Sequence, residues 1–376
     1  MTGRTLIVGA GPFGLTLARC LTDAGHPVLV IERRPVVGGN ATDRLEQGMR
    51  MHPYGIHIFH TSDDGVWSFV NRFSDWIPYQ LHVMCRTLCG VMPLPFTMDF
   101  YSRFYRCTTP AEMDALLASF QQGHPSGDDL RSWAISQLGT QAFDLLVEGY
   151  TEKQWGRGCA TLPSSILRRL VVRRSWETRY FDDTYEGLPA KGYQALWTAM
   201  ADQIPVECGV DFLADRPYWE GQADRIVFTG PLDALWEYCH GPLEYRSLRF
   251  EQEIYHGPVQ GCVQMNSSLR TDLWTRTYEW GYLPPNVRPQ GQTVSLLTRE
   301  FPLPYSPGSE PFYPIRTPDN IARAKAYQSE TASTGFYHLG GRLGTFRYYD
   351  MHQAIRAAMT CAEKLLKGLP TEGITD

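Results

Sequence analysis

The residues near the amino terminus that could do chemistry are three glycines, Gly9, Gly11 and Gly14, spaced as G-x-G-x-x-G. They follow the apolar run 5–8 and precede a stretch with helical spacing of leucines, and the next apolar run ends at Glu32. In this context Gly9 permits a tight turn, Gly11 lets the backbone approach a pyrophosphate, and Gly14 lets the helix pack against the strand. Glu32 would accept hydrogen bonds from an adenosine ribose and disfavours a 2′-phosphate, which argues against NADP. The pattern predicts a dinucleotide-binding βαβ unit.

The segment after this unit bears on which dinucleotide is bound. Glu32 is followed by Arg33 and, after a short gap, by Gly38, Gly39 and Asn40. FAD-binding proteins of the glutathione-reductase-like class are similar here, with Glu-Arg and then a Gly-Gly pair. This resemblance implies FAD rather than NAD, held beside these residues. Gly230 ends a further apolar run and is another candidate for contact with the cofactor.

The rest of the chain must supply elements that position these residues. Residues 130–147 have helical spacing with Asp129 as N-cap, and residues 351–365 repeat as an amphipathic helix. The strand-like segment 80–93 and the alternating stretch 243–305 predict an antiparallel sheet. Together with the βαβ opening, these patterns predict an α/β protein whose second and third regions are inserted between pieces of the first.

Composition excludes several classes of function. The chain of 376 residues is 43% hydrophobic and 20% charged, with a formal net charge of −5, so neither nucleic acid nor an anionic membrane is expected as a partner. The sequence contains no run of about 18 apolar residues, so no membrane span is expected. The nine cysteines form no CxxC pairs, so we expect no metal site and free thiols in a reducing cytoplasm. The 12% aromatic content favours a ligand-rich interior.

Several longer strings resemble the UDP-galactopyranose mutase family. They are HIFHT at 57–61, GYTEKQWG at 149–156, GPLEYRSL at 241–248 and YYDMHQ at 348–353. The resemblance extends over nearly the whole chain and implies a Rossmann-type FAD-binding domain, an inserted helical domain, and a twisted antiparallel sheet domain that binds substrate. The boundaries we predict are 1–76, 190–240 and 330–376 for the FAD-binding domain, 97–165 for the helical domain, and 77–96, 166–189 and 241–329 for the sheet domain.

The family's reaction has no net redox change, yet it needs reduced FAD. N5 of the reduced flavin attacks the anomeric carbon of a nucleotide-linked sugar, the diphosphate leaves, and the sugar ring opens and recloses in the other size. The resemblance therefore implies an isomerase that interconverts pyranose and furanose forms, with NAD(P)H as a candidate external reductant and a homodimer as the assembly. The departing diphosphate needs fixed cations, and the positions that match are Arg173 and Arg276.

Other site residues are carried over on the same resemblance. Matches to the contacts with substrate are Tyr150, Trp155, Tyr180 or Tyr185, Asn266, Tyr313, Tyr348 and Asp350. Matches to the surroundings of the flavin are His57, His60, Arg342, Asp350 and Met351. An anionic reduced flavin is stabilised by a nearby cation or by the amino terminus of a helix, which is the role expected of Arg342 and of the helix that begins near Asp350.

The pattern departs from the family near the expected nucleobase site. Leu146-Val147-Glu148 stands where uridine-specific members carry two phenylalanines and a basic residue, and Glu279 follows Arg276 in a rewritten segment. A carboxylate can accept both donors on one edge of guanine, so GDP-galactose or GDP-fucose is an alternative to UDP-galactopyranose, with Glu148 or Glu279 reading the base. An FAD-dependent oxidoreductase of the amine-oxidase type and a nucleotide-sugar sensor are the alternatives from other classes.

Overall fold

The computed structural model describes residues 3–124, 126–168, 172–286, 294–306, 308–369 and 371. The strands are β1 (Thr5–Val8), β2 (Val28–Glu32), β3 (Arg44–Glu46), β4 (Met49–Met51), β5 (Phe59–Thr61), β6 (Trp76–Pro78), β7 (Val83–Thr87), β8 (Gly90–Leu94), β9 (Tyr185–Pro189), β10 (Val206–Cys208), β11 (Arg225–Phe228), β12 (Tyr245–His256), β13 (Gln264–Ser267), β14 (Arg276–Glu279), β15 (Val294–Pro304), β16 (Tyr313–Pro314) and β17 (Tyr337–Leu339). The α-helices are α1 (Pro12–Asp23), α2 (Asp64–Val70), α3 (Met98–Tyr105), α4 (Pro110–Gly123), α5 (Leu130–Leu138), α6 (Thr140–Ala142), α7 (Gly149–Trp155), α8 (Tyr193–Met200), α9 (Arg216–Glu220), α10 (Leu232–Leu235), α11 (Pro318–Ser333), α12 (Gly341–Gly344) and α13 (Met351–Leu366).

A five-stranded parallel sheet holds the predicted dinucleotide unit. Its strand order is β10-β2-β1-β11-β17, and every pairing in it is parallel. The apolar residues of β1 and β2 are buried or nearly so, and α1 packs against α13 on the sheet. Because the strands are parallel, their carboxyl ends meet at one edge, where such sheets bind their ligands. The predicted βαβ opening and the α/β class are confirmed.

The second sheet has seven strands in the order β16-β12-β15-β14-β13-β7-β8. Its pairings are antiparallel except that β13 runs parallel to β7, a contact that the sequence did not predict. The predicted strand at 80–93 is a hairpin of β7 and β8. Cross-strand register sets Asn266 of β13 opposite Arg276 of β14, and Arg276 opposite Glu300 of β15. Three polar residues far apart in sequence therefore lie side by side.

The helix predicted at 130–147 is interrupted. Asp129 caps α5 as expected, since its side chain accepts a hydrogen bond from the Ser132 N–H at 2.9 Å. Helix α5 ends before Gly139, which has a φ of +86°, and a π-helical turn over Phe143–Glu148 leads into α7. A Cβ at Gly139 would lie 2.5 Å from the ring of Phe120, which belongs to α4. Packing of α4 against the end of α5 therefore requires glycine at this position.

A three-stranded sheet, β5-β9-β6, joins parts of the chain that we assign to different domains. It pairs β9, from the segment 166–189, with two strands from 1–76 or next to it. The division of the chain into three domains stays a prediction. Within the described ranges, no helix is long and apolar enough to cross a membrane.

Candidate active site

A cavity of about 510 Å³ lies at the carboxyl edge of the parallel sheet and is called here the larger cavity. The residues predicted from the glycine pattern line it together: Gly9, Gly11, Gly14, Glu32, Arg33, Gly39, Asn40 and Gly230. A Cβ on Gly14 would lie 1.9 Å from the carbonyl oxygen of Gly9, so α1 can approach β1 this closely only with glycine. A Cβ on Gly11 would meet only Gly39 Cα, at 3.9 Å, so the backbone here is open to an approaching group. These features fit the pyrophosphate of FAD.

Glu32 ends β2 inside this cavity, where a ribose is expected. Its two carboxylate oxygens accept the backbone N–H groups of Ala10, at 2.7 Å, and Arg34, at 2.8 Å. These bonds fix the carboxylate against the glycine turn, and each oxygen keeps a second lone pair for a hydroxyl donor. The geometry therefore suits the ribose contact predicted for Glu32.

Arg33 is the arginine predicted to contact the cofactor, and its neighbour Arg34 was not predicted to do so. The Arg33 side chain is 57% exposed and pairs with Glu310 at 2.8 Å. Arg34 is more enclosed: it donates to Asn40 Oδ1 and to Glu310, both at 2.7 Å, and lies 4.3 Å from the centre of the Tyr54 ring. No local pattern signals Tyr54 or Glu310, because both reach this end of the cavity only through the fold.

Residues predicted to surround the flavin line the other part of the larger cavity: His57, His60, Arg342, Asp350 and Met351. The Arg342 guanidinium donates to the Tyr349 carbonyl at 2.6 Å and lies 4.9 Å from the Tyr348 ring centre. Asp350 is the N-cap of α13, and its backbone N–H donates to the Gln353 side chain at 2.9 Å. A cation and a helix amino terminus thus lie together, as an anionic reduced flavin requires.

His57 is held as a neutral ring. Its Nδ1 is 2.8 Å from the carbonyl of Gly55. Burial lowers the pKa of His57 to about 4, an effect that the Gly55 carbonyl opposes and that the charge of Arg342 assists.

This depressed pKa predicts how stability depends on pH. Because folding disfavours the protonated form of His57, the neutral ring adds to the free energy of unfolding at pH values above the unfolded pKa of about 6.5. This contribution is worth roughly 3 kcal/mol and is lost as the pH falls towards 4. Replacing His57 by Gln should flatten the dependence of the melting temperature on pH between these limits. The control variant is H82Q, at an exposed histidine outside both cavities. Equal slopes for wild type and H57Q would contradict the assignment.

A smaller cavity of about 70 Å³ meets the larger one. It brings together most of the predicted substrate residues: Tyr150, Trp155, Asn266, Arg276, Tyr313 and Tyr348. Four residues line both cavities and so mark their junction: Tyr180, Arg276, Tyr313 and Tyr348. Asn266 is oriented by Gln264, whose amide donates to Asn266 Oδ1 at 2.8 Å.

Arg276 is the buried cation at this junction. Its Nη1 lies 3.3 Å from Glu300 Oε1, and its guanidinium is 5.6 Å from the centre of the Tyr150 ring. Although burial alone would lower it, the charge of Glu300 helps to raise the pKa of Arg276 well above its usual value. The Nε–H group is buried and has no hydrogen-bond partner among the described residues. Arg276 is therefore charged and has a donor to spare for an anion.

Glu300 lines the larger cavity and pairs with Arg276, a placement that the sequence did not reveal. The Tyr278 hydroxyl donates to its carboxylate at 2.5 Å, and the Thr275 hydroxyl lies 3.3 Å away. The carboxylate side chain is 1% exposed, so it depends on Arg276 for its counter-charge. Only the register of β14 with β15 brings the two together.

Arg173, predicted as the second cation for the diphosphate, lines neither cavity. Its Nε donates to Asp182 Oδ1 at 2.8 Å, its Nη2 donates to the Phe181 carbonyl at 2.9 Å, and its Nη1 donates to the Arg179 carbonyl. These bonds consume its donors in holding the segment 177–182. Arg169 follows the cavity-lining Leu167 by two positions and lies outside the described residues.

The two tyrosines given as alternatives, Tyr180 and Tyr185, lie in different places. Tyr180 lines both cavities. Tyr185 lines neither: its ring stacks on Trp67, with ring centres 4.9 Å apart, and its hydroxyl donates to Asp64 at 2.9 Å. The β5–β9 pairing directs Tyr185 towards α2 instead of the cavities.

Neither carboxylate proposed to read guanine faces a cavity. Glu148 pairs with Arg131 at 2.8 Å and with Arg270 at 3.0 Å. Glu279 is fully buried and accepts the Gln260 N–H at 2.7 Å and the Ser295 hydroxyl at 2.8 Å. Both carboxylates have partners within the protein, which leaves the GDP alternative less supported than UDP.

Gln154 is the polar side chain that the sequence overlooked in the smaller cavity. It is 4% exposed, and neither its amide oxygen nor its amide nitrogen has a hydrogen-bond partner in the described part of the chain. A buried amide without partners is costly, so a bound ligand is the natural source of its hydrogen bonds. An amide offers one donor edge and one acceptor edge to such a ligand.

A glycine turn, a fixed glutamate and a large cavity at the carboxyl edge of a parallel sheet define an FAD-binding enzyme of the Rossmann type. Comparison with known proteins is more specific. A family model described as UDP-galactopyranose mutase matches residues 145–348, and one described as an NAD(P)-binding Rossmann-like domain matches residues 7–73. The chain belongs to the UDP-galactopyranose mutase family. The predicted fold class, FAD cofactor and isomerase class are confirmed.

Full-length relatives agree with this assignment. The chain is 34% identical to a protein of Klebsiella pneumoniae described as "Probable UDP-galactopyranose mutase", over 98% of this chain and 96% of that protein. It is 30% identical to the dTDP-fucopyranose mutase of Escherichia coli, over 97% and 98% of the two chains. A crystal structure of reduced UDP-galactopyranose mutase has a TM-score of 0.76 at 16% identity and covers 99% of this chain and 95% of its own.

Proposed function

We propose that this protein interconverts the pyranose and furanose forms of a sugar carried on a pyrimidine nucleoside diphosphate, with UDP-galactopyranose as the expected substrate. The observation that carries the proposal is Arg276, a buried cation with an unused Nε–H at the junction of two cavities. The larger cavity fits FAD, and the smaller one is left for the nucleotide end of the substrate. When bound and reduced, the flavin supplies the nucleophile for the anomeric carbon.

The residues at the junction are suited to the diphosphate. Arg276 supplies positive charge, and Tyr180, Tyr313 and Tyr348 supply hydroxyl groups that can bond phosphate oxygens without adding charge. The diphosphate is most negative as it leaves the sugar, so a fixed cation there stabilises the transition state more than the bound substrate. Glu300 holds Arg276 in place from the other side.

The smaller cavity supports a pyrimidine nucleotide. Gln154 offers an amide donor and acceptor, which match the N–H and carbonyl on one edge of uracil or thymine, while Tyr150 and Trp155 offer aromatic faces. Relatives named for UDP and for dTDP substrates are similar to this chain at 34% and 30% identity. UDP remains the expected carrier and dTDP the nearest alternative.

The substrate class is tested by turnover. Dithionite-reduced protein would be incubated separately with UDP-galactopyranose, dTDP-fucopyranose and the corresponding GDP-sugars, and ring isomers separated by chromatography. We expect isomerisation of the UDP-sugar, and a much slower or absent reaction with GDP-sugars. Preference for a GDP-sugar would overturn the pyrimidine assignment while leaving the mutase intact.

The proposal includes a homodimer located in the cytoplasm. Its support is the family resemblance and the described cysteines, which are all free thiols, as expected in a reducing compartment. Light scattering coupled to size exclusion would measure the assembly, and a monomer at micromolar concentration would contradict the dimer.

A further inference from the structure

A carboxylate contacts the histidine that lines the larger cavity. His60 Nδ1 lies 2.6 Å from Asp183 Oδ2, and the other oxygen, Asp183 Oδ1, accepts the Ser62 hydroxyl at 2.9 Å. The hydrogen bond from His60 lowers the pKa of Asp183, which therefore stays ionised. An ionised carboxylate only accepts hydrogen bonds, so the ring nitrogen facing it must carry the proton.

The surroundings leave the imidazole little freedom to turn. Its ring stacks on Phe181, with centres 3.7 Å apart and planes 11° from parallel, and its edge meets His352 at 4.8 Å. Burial lowers the pKa of His352, so the second ring is neutral and does not compete for Asp183. His60 lies on β5, which pairs with β9, and His60 is opposite Glu186 in that pairing. The Thr184 N–H also donates to the Ser62 hydroxyl, at 3.1 Å.

We propose that Asp183 is a positioning residue: it holds His60, which lines the larger cavity, with a proton on Nδ1, so that Nε2 is the ring nitrogen left to accept a proton. This inference rests on the proposed function. Pyranose and furanose forms differ in which sugar oxygen closes the ring. Net conversion therefore moves one proton, from the oxygen that closes the new ring to the oxygen released from the old one. His60 Nε2 accepts and returns that single proton, so atoms and charge balance without another reactant.

The decisive variant is Asp183→Asn, which keeps the shape and the bond to Ser62 but loses the charge and the ability to select one tautomer. We expect kcat to fall about 10- to 100-fold with KM nearly unchanged and flavin content equal to wild type. Asp183→Glu should recover part of the loss, since it restores the carboxylate. Ser62→Ala removes the hydroxyl that bonds Asp183 Oδ1 and accepts the Thr184 N–H, but it leaves the His60–Asp183 contact in place and should retain most of the activity.

A second readout does not depend on activity. Nitrogen-15 NMR of the histidine rings, with His60 assigned from an H60Q sample, should find its proton on Nδ1 in the wild type and redistributed in D183N. Wild-type kcat in D183N, or a loss of kcat with an unchanged tautomer, would overturn the proposal alone. A wild-type protein that keeps the Nδ1–H tautomer but forms no ring isomer would overturn the proposed function, and the proton transfer with it.

Discussion

Replacing Arg276 by alanine is expected to lower kcat/KM for the nucleotide-sugar by about 1,000-fold, at the upper end of the effect of losing one preorganised donor to a developing negative charge. The loss should be largely in kcat, because the diphosphate is most negative as it departs. Alanine also leaves the buried Glu300 without its counter-charge, so R276A is expected to destabilise the fold. Thermal melting and steady-state rates measured on the same samples separate the two effects.

Arg276→Lys is the sharper variant. Lysine keeps a positive charge beside Glu300 but lacks the planar fork and the unused Nε–H. We expect a melting temperature near wild type with kcat/KM lowered about 10- to 100-fold. Arg173→Lys is the matched comparison, because Arg173 lies outside both cavities and should cost stability more than turnover. A larger rate loss in R173K than in R276K would contradict the role given to Arg276.

Replacing Gly11 by valine is expected to remove FAD from the protein without unfolding it. Gly11 has a φ of −77°, which valine adopts, and a Cβ there would meet only Gly39 Cα within 4 Å. The added methyl groups would occupy the space where the backbone approaches the pyrophosphate, so we expect FAD affinity to fall at least about 100-fold, roughly 3 kcal/mol. Flavin absorbance of the purified protein and a titration of the apoprotein measure this.

Gly123 provides the control for that experiment. It has no positive φ, and a Cβ there would meet nothing within 4 Å, so G123A should bind FAD like the wild type. A G11V protein that retains stoichiometric flavin would contradict the placement of the pyrophosphate at this turn. A G11V protein that is unfolded by circular dichroism would contradict the open space inferred at Gly11.

Local patterns predicted the parts of the fold that local chemistry determines. The glycine turn, β1, α1 and Glu32 are specified within 28 residues of sequence, Thr5 to Glu32, and all lie as expected. The break at Gly139 was missed because the reason for it, the Phe120 ring, belongs to another helix. The parallel pairing of β13 with β7 was missed for the same reason, since it joins segments separated by nearly half of the chain.

Only part of the candidate site could likewise be predicted from local sequence patterns. Tyr150 and Trp155 follow from a continuous string, but Glu300 and Gln154 owe their significance to cross-strand register and to burial, which no short motif reports. Arg173 was predicted from the family resemblance, and in the structure Asp182 and neighbouring carbonyls accept its hydrogen bonds, which its sequence position did not indicate. Glu148 and Glu279 were predicted as alternative readers of the base. In the structure Glu148 pairs with an arginine, and Glu279 accepts a hydrogen bond from a backbone amide.

We expect this protein to use reduced flavin to isomerise a nucleotide-sugar without net oxidation. The most direct measurement incubates the purified protein with UDP-galactopyranose, fully oxidised in one sample and dithionite-reduced under nitrogen in the other, and follows the furanose isomer by chromatography. We expect isomer only in the reduced sample, with many turnovers per reduced flavin and no matching consumption of reductant. Isomer in the oxidised sample, no isomer from any nucleotide-sugar, or steady consumption of oxygen or NAD(P)H in proportion to product would contradict it.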